Sequence, residues 1–324
     1  MKTMKWLIKR EMWEHKGMLF WAPVCVATIM SLLFAAMLVL GSSSNDMHIA
    51  YHAEDGNVLN TALSAATIAA NKAAIGAAMA ATYMAGATPL FLMLGVLVFF
   101  YSLSALYEER RDRSLLFWKS LPVSDGGTVL SKAALALLVT PLITIAVATL
   151  ASLLMLLMAC LAMSVKGTHM YGVLLGSAEF YLTPLRILGL LPVYCLWALP
   201  SVGWLLMVSA WARSKAFLWA VGAPLLTSVM VIWVNKMFGA SLDTSWLMHN
   251  IVGRLLLGTV PGSWFMLGHD NAAALLDASG THASSAGIFT QSWLTLAGPG
   301  VWLGAAAGAA MIYVAIRLRR WREE

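Results

Sequence analysis

Charge is what this sequence has least of. Only 11% of its 324 residues are Asp, Glu, Lys or Arg, 60% are apolar, and the mean hydropathy is +0.78. Soluble domains carry about 25% charged and about 45–50% apolar residues, so the shortage excludes a soluble chain and indicates an integral membrane protein. Cysteine is scarce too. Cys25, Cys160 and Cys195 each lie inside an apolar run, where a thiol behaves as a small hydrophobe, so neither a disulfide framework nor a cysteine metal site is expected. No G-x-S-x-G, H-E-x-x-H or C-x-x-C motif occurs, and an intramembrane enzyme has no support. The long apolar runs also lack a central Asp, Glu, His or Lys. Proton- and ion-coupled carriers place such groups there, so a secondary transporter is disfavoured. Pro141, Pro192, Pro200 and Pro224 are read as local kinks and not as substrate sites.

What is present is a set of apolar stretches of about 20 residues or more, the length that crosses ~30 Å of hydrocarbon. They cover 19–41, 87–107, 133–163, 187–210, 216–235 and 297–316. The expected fold class is an all-α integral membrane protein with six transmembrane helices, a single six-span domain over 19–324 behind an amphipathic helix at 1–18. The net charge of +6 then reflects topology and not a nucleic-acid partner. Sixteen of the 21 Lys and Arg residues fall before the first span, between the second and third, between the fourth and fifth, or after the sixth. Lys and Arg are retained in cytoplasmic flanks, so both termini are expected in the cytoplasm, with the tail at 317–324. The first apolar run, 23 residues, is too long for a signal-peptide core and is read as retained.

Lys2, Lys5, Lys9 and Lys16 share one face of the leader, beside Trp6 and Trp13, against an apolar face of Met1, Met4, Ile8 and Met12. That pattern predicts a helix on the cytoplasmic leaflet, although a merely solvated leader has the same charges. Exterior segments are expected at 42–86 and 236–296. Two stretches inside them, 61–85 and 246–267, are apolar but broken by Asn71 and Lys72, and by His249, Asn250, Arg254 and Pro261. They are read as exterior or re-entrant helices, because a central Arg or Lys costs about 2.5–3.5 kcal/mol on insertion. The run 61–107 reads as one helix kinked near Pro89. His48 and His52, four apart, make a weak metal candidate without a third ligand, and the plainer reading is a polar loop.

The loop 108–132, EERRDRSLLFWKSLPVSDGGTVLSK, is longer than a connection needs. Residues 113–121 suit a short amphipathic helix with Leu115, Leu116, Trp118 and Leu121 apolar, ended by Pro122. Ser124-Asp125-Gly126-Gly127 is turn chemistry, and Gly127 or Thr128 can begin the next helix. Physics alone leaves two readings, a docking element or an interfacial helix dipping Phe117 and Trp118 into headgroups. The segment resembles the signature of bacterial ATP-binding cassette type-2 permeases: charged residues 108–113, a short apolar helix 114–120, then Leu121-Pro122-Val123-Ser124 and Lys132. Arg113-Ser114 and Asp125 stand where many members carry Gly-Thr and a basic residue.

The resemblance implies a coupling helix at 113–121 that seats in an ATP-hydrolysing subunit. Its contact residues would be Glu108, Glu109, Arg110, Arg113, Leu116, Phe117, Trp118, Leu121 and Pro122. This chain has no G-x-x-x-x-G-K-[ST] loop, so it is expected to be no enzyme and to hold no cofactor. ATP and Mg2+ would belong to two copies of a separate cytoplasmic ATPase. A second permease chain, identical or a paralogue, would complete the pathway in the bacterial inner membrane. The implied activity is export of a hydrophobic or amphipathic compound such as a lipid, drug or antimicrobial peptide; the rival is a sensor or immunity module that binds without transporting. Gly300, Gly304 and Gly308 recur every fourth residue in the last span and are kept as a helix-packing face.

Overall fold

The computed structural model describes residues 2–41, 51–52, 58–59, 72–111, 124–165, 167, 169–239, 243–267 and 285–321. Six helical segments are long and apolar enough to cross a membrane: Gly17–Leu40, Ala78–Arg111, Asp125–Val165, Ala178–Trp211, Ala216–Phe238 and Pro299–Trp321. The chain is an all-α membrane protein; beside the helices, the described residues hold one two-residue ladder, β1 (Tyr51–His52) antiparallel to β2 (Val58–Leu59).

Helix α1 (Lys2–Glu14) passes through a π-type turn, Gly17–Trp21, into α2 (Ala22–Gly41). The second span is built from α3 (Lys72–Thr82), a 3-10 turn at Tyr83–Ala87 and α4 (Thr88–Ser104). Pro89 sits in the first turn of α4, where a missing N–H breaks no intrahelical bond; of the expected 61–107 helix, 61–71 lies outside the described residues. A short α5 (Tyr107–Arg111) follows. The third span begins with α6 (Asp125–Ala134), two to three residues before Gly127 or Thr128, because the Ser124 side chain accepts a hydrogen bond from the Gly127 N–H at 3.2 Å and caps the helix. Lys132 lies inside this helix, as a start at Gly127 or Thr128 also implies.

A π-type turn, Leu135–Val139, joins α6 to α7 (Thr140–Val165). Pro141 has no N–H to offer the Leu137 carbonyl four residues back. The Cys195 thiol of a neighbouring helix donates to that carbonyl at 3.1 Å, and Thr140 Oγ1 donates to the Leu135 carbonyl at 2.9 Å. In hydrocarbon each backbone group freed by a proline needs such a partner. The chain continues as α8 (Tyr171–Gly176), α9 (Ala178–Gly189), α10 (Leu191–Trp211) and α11 (Ala216–Phe238). Helix α12 (Thr244–Leu247), a π-type turn at Met248–Gly253, α13 (Arg254–Leu257) and α14 (Ser263–Leu267) come next, followed by α15 (Ser285–Leu294) and α16 (Pro299–Trp321).

Helix α10 is the axis of the bundle: Val193, Ala198, Val202, Leu205 and Leu206 are fully buried. Its contact with α16 is the most extensive between helices among the described residues. The two backbones touch there. A Cβ on Gly308 would stand 2.6 Å from the Leu199 carbonyl carbon, and one on Gly203 would stand 2.5 Å from the Gly308 oxygen. Helices α2 and α11 bury few of their residues, as lipid-facing helices do.

Both chain ends reach the same end of the bundle, where α1 packs on α6 and Arg319 of α16 meets Asp125 of α6. At the opposite end α3 packs against α8 and α9; Tyr83 donates to the Phe180 carbonyl at 3.3 Å and Thr183 to the Ala80 carbonyl at 3.3 Å. Residues 244–267 form a helical hairpin. Asn235 at the far end of α11 donates to Thr244 at 2.9 Å, the turn packs Val260 onto Gly95 of α4, and Leu267 returns beside Gly253. The Ser201 hydroxyl donates to the Arg254 carbonyl at 2.5 Å. Ser201 is the midpoint of the 21-residue α10, so the hairpin enters to mid-bundle and turns back.

Candidate functional site: an ion cluster around the 112–123 segment

Six charged side chains from four helices converge at the end that carries both termini. Lys132 of α6 donates to Glu11 of α1 and lies 3.0 Å from the Glu109 carboxylate of α5. Arg319 of α16 donates to Glu109 at 2.7 Å and, through its Nε, to Asp125 at 3.2 Å. Arg10 donates to the second Glu11 oxygen at 3.2 Å and stands 3.9 Å from Glu109. Tyr101 donates to Glu11 at 3.3 Å and His15 Nε2 lies 3.6 Å from the same carboxylate. Three carboxylates thus face three permanent cations, and Glu11 and Lys132 are each only 1% exposed.

Each charge is there for a local reason. Glu11 follows Leu7 by one helical turn, and these two side chains form the face by which α1 sits on α6. The expected apolar face is displaced: Ile8 and Met12 flank that contact half-buried, while Trp6 and Trp13 are exposed, with Arg10 and Lys16 over their rings at 6.0 and 5.7 Å. Lys132 lies on the buried side of α6 with Thr128, Val129 and Ser131. A cation so placed is tolerated only when paired, and breaking a buried pair costs about 3–5 kcal/mol.

Burial by itself would raise the Glu11 carboxyl. His15 beside it and the Lys132 charge outweigh burial and lower it from 4.5 to about 2. The sign follows from linkage. A carboxyl bound more weakly to its proton in the folded state adds stability above about pH 4.5, and that stability disappears as the pH falls toward about 2.

The cluster brackets the segment that carries the sequence signature. Glu109 lies three residues before 112, Asp125 lies two after 123, and the single guanidinium of Arg319 joins them. The span before the segment is held as well. Between α4 and α5 the helix breaks at Ala105–Leu106, and Ser209 of α10 accepts hydrogen bonds from the Leu106 and Tyr107 N–H groups at 3.0 and 2.9 Å. Arg110 donates to the Ser209 carbonyl and, at 2.9 Å, to that of Ala212, closing the end of α10 onto the same point.

Of the expected contact residues, Glu109 is buried in the cluster, Arg110 is bound to α10 and Glu108 is exposed. Arg113, Leu116, Phe117, Trp118, Leu121 and Pro122 lie outside the described residues, as does His48; His52 falls in β1. Among the described residues no group of three His, Cys, Asp or Glu side chains could hold a metal ion. The three glycines of α16 divide: a Cβ on Gly300 meets nothing, Gly304 makes room for Arg254, and Gly308 for the α10 backbone.

Sequence reasoning missed Glu11, Asp125 and Arg319 as partners. One signal was available: Lys132 stands in the otherwise uncharged run 126–178 but for Lys166, and a lysine one turn before a run of leucines needs a carboxylate. The fold and site define a multi-pass membrane protein with a buried ionic junction at the end of the bundle where its termini meet. No family model, no curated protein and no solved structure matches the chain.

Proposed function

We propose that the chain is the membrane subunit of an ATP-driven exporter, with hydrolysis carried out by a separate ATPase that docks on residues 112–123. The observation that carries this reading is the junction itself: Arg319 joins the two stems of that segment, and Glu11 and Lys132 tie them to α1 and α6. A force applied to the segment is delivered at once to the second, third and sixth spans and to α1, and through Arg110 and Ser209 to the fourth. That is the mechanical property a coupling segment needs, a distant binding event biasing a two-state bundle.

In this reading the basic end faces the cytoplasm of a bacterial cell and the 244–267 hairpin faces outward from the inner membrane. Two ATPase copies supply ATP and Mg2+ chemistry, a second permease chain completes the pathway, and the cargo is hydrophobic or amphipathic. The resemblance of 108–132 to type-2 permeases supports the same assignment.

Purification from the native membrane in mild detergent, with mass spectrometry of bound proteins, tests it. A stoichiometric soluble ATPase is expected, and Arg113→Glu or Trp118→Ala should leave insertion intact while abolishing ATPase stimulation and transport. Reproducible absence of an ATPase from the folded chain overturns the proposal in favour of a sensor or immunity module.

A further inference from the structure

The interior of the bundle holds one cation that no span supplies. Arg254 enters from the re-entrant hairpin and is 8% exposed. Its Nη1 donates to the Gly300 carbonyl at 2.7 Å and its Nη2 to the Val301 carbonyl at 3.2 Å, while the guanidinium carbon lies 4.4 Å from the centre of the Trp197 ring. The Nε is buried without a hydrogen-bond partner, and among the described residues no carboxylate pairs with this arginine. The guanidinium fits only because residue 304 is glycine, since a Cβ there would overlap its carbon and both terminal nitrogens.

From these contacts we infer that Arg254 is a latch: seated in the notch at Gly304, it holds the 244–267 hairpin shut against α10 and α16, and its withdrawal frees the hairpin to move. A charge with no counter-ion is costly in a low-dielectric interior, and two carbonyls with one aromatic face offset that cost only in part. Outside the notch the same guanidinium would be hydrated. Two arrangements of comparable free energy are what a switching element requires, and a packed notch has seated and unseated states with little between.

Three neutral hydrogen bonds anchor the hairpin to α10: Ser201 to the Arg254 carbonyl, Tyr194 to the Thr259 carbonyl at 3.0 Å, and Trp197 to Ser263 at 2.9 Å; Asn235 of α11 and Ser292 of α15 hold Thr244 and Trp264. Arg254 adds the tie to α16, the helix that also carries Arg319 into the ion cluster at the other end. One rigid helix therefore touches both the coupling junction and the latch. The meaning of the latch as an outward gate rests on the exporter reading; the latch itself does not.

The test uses the full chain in lipid nanodiscs, without ATP, partner or cargo, so its failure is separable from failure of the exporter reading. Thr259→Cys places a thiol at a position 1% exposed in the hairpin turn, and the fraction modified by a charged maleimide is read by mass spectrometry on the peptide containing residue 259. Labelling should be slow in that parent and faster by at least about tenfold with Arg254→Ala, because losing even ~1.4 kcal/mol of buried hydrogen bonding shifts an opening equilibrium that far.

Gly304→Ala should do the same with the arginine still present. The double variant should be no faster than Arg254→Ala alone, since no guanidinium remains to clash with the methyl group. Parent-like labelling in Arg254→Ala, or single effects that multiply in the double, overturns the latch. If either alanine variant fails to fold, Arg254→Lys decides. Lysine keeps a single donor and no planar fork, so labelling above the parent is expected and parent-like labelling overturns the proposal.

Discussion

Lys132 and Glu11 lie 121 residues apart in the chain and form the most deeply buried pair of the cluster. The cost of such a pair appears only when it is halved. Lys132→Met should lower folding stability by about 3–5 kcal/mol, while Lys132→Met combined with Glu11→Gln should recover a large part of that loss, because an uncompensated buried carboxylate is what destabilises. Thermal unfolding of the detergent-solubilised single and double variants checks this; equal losses in both would reject it. The same carboxylate governs acid sensitivity. Unfolding temperature should decline between about pH 4.5 and about 2 in the parent, and Glu11→Gln should remove part of that decline. Lys132 was legible as a charge at the head of an apolar run, but its carboxylates were not, since pairing across that separation depends on how α1 lies against α6.

At the scale of elements, the glycines of α16 share one sequence spacing and do three different things. Gly300→Ala should be neutral, because its Cβ would meet nothing. Gly308→Ala should destabilise by about 1–3 kcal/mol, the cost of overpacking, since the atoms in its way are the Leu199 and Pro200 backbone and cannot rotate aside. Unfolding midpoints of the two variants, compared in one detergent, test the ranking, and equal midpoints would refute it. The six spanning helices found among the described residues were readable from run length and hydropathy, because local composition decides them. Helix α6 starts two to three residues before the expected Gly127 or Thr128, since the Ser124 cap outweighs the poor helix propensity of Gly126 and Gly127. The stop between α4 and α5 carries no turn residue in Ala105-Leu106; Ser209, from another helix, accepts its free N–H groups.

For the whole molecule, the distribution of Lys and Arg and the meeting of both termini at one end make a single topological prediction. Cysteines introduced at Ser43 and Ser285 should react with an impermeant maleimide added to intact cells, whereas one introduced at Ser124 should react only after permeabilisation. The reverse pattern would invert the proposed orientation and remove the ATPase from the 112–123 segment.

The sequence by itself determined that the chain is an all-α membrane protein, how many of its helices can cross the membrane and that both chain ends lie together. Those properties depend on the apolar length of each segment and on an even number of crossings, which are local or additive quantities. It could not determine which charges are buried. The spans carry no central Asp, Glu, His or Lys, yet Arg254 reaches the interior from the 244–267 hairpin, and Glu11 is buried from a leader that reads as a helix lying on the membrane surface. Only the tertiary structure decided these placements, because the free energy of a buried charge depends on partners and cavities contributed by distant parts of the chain.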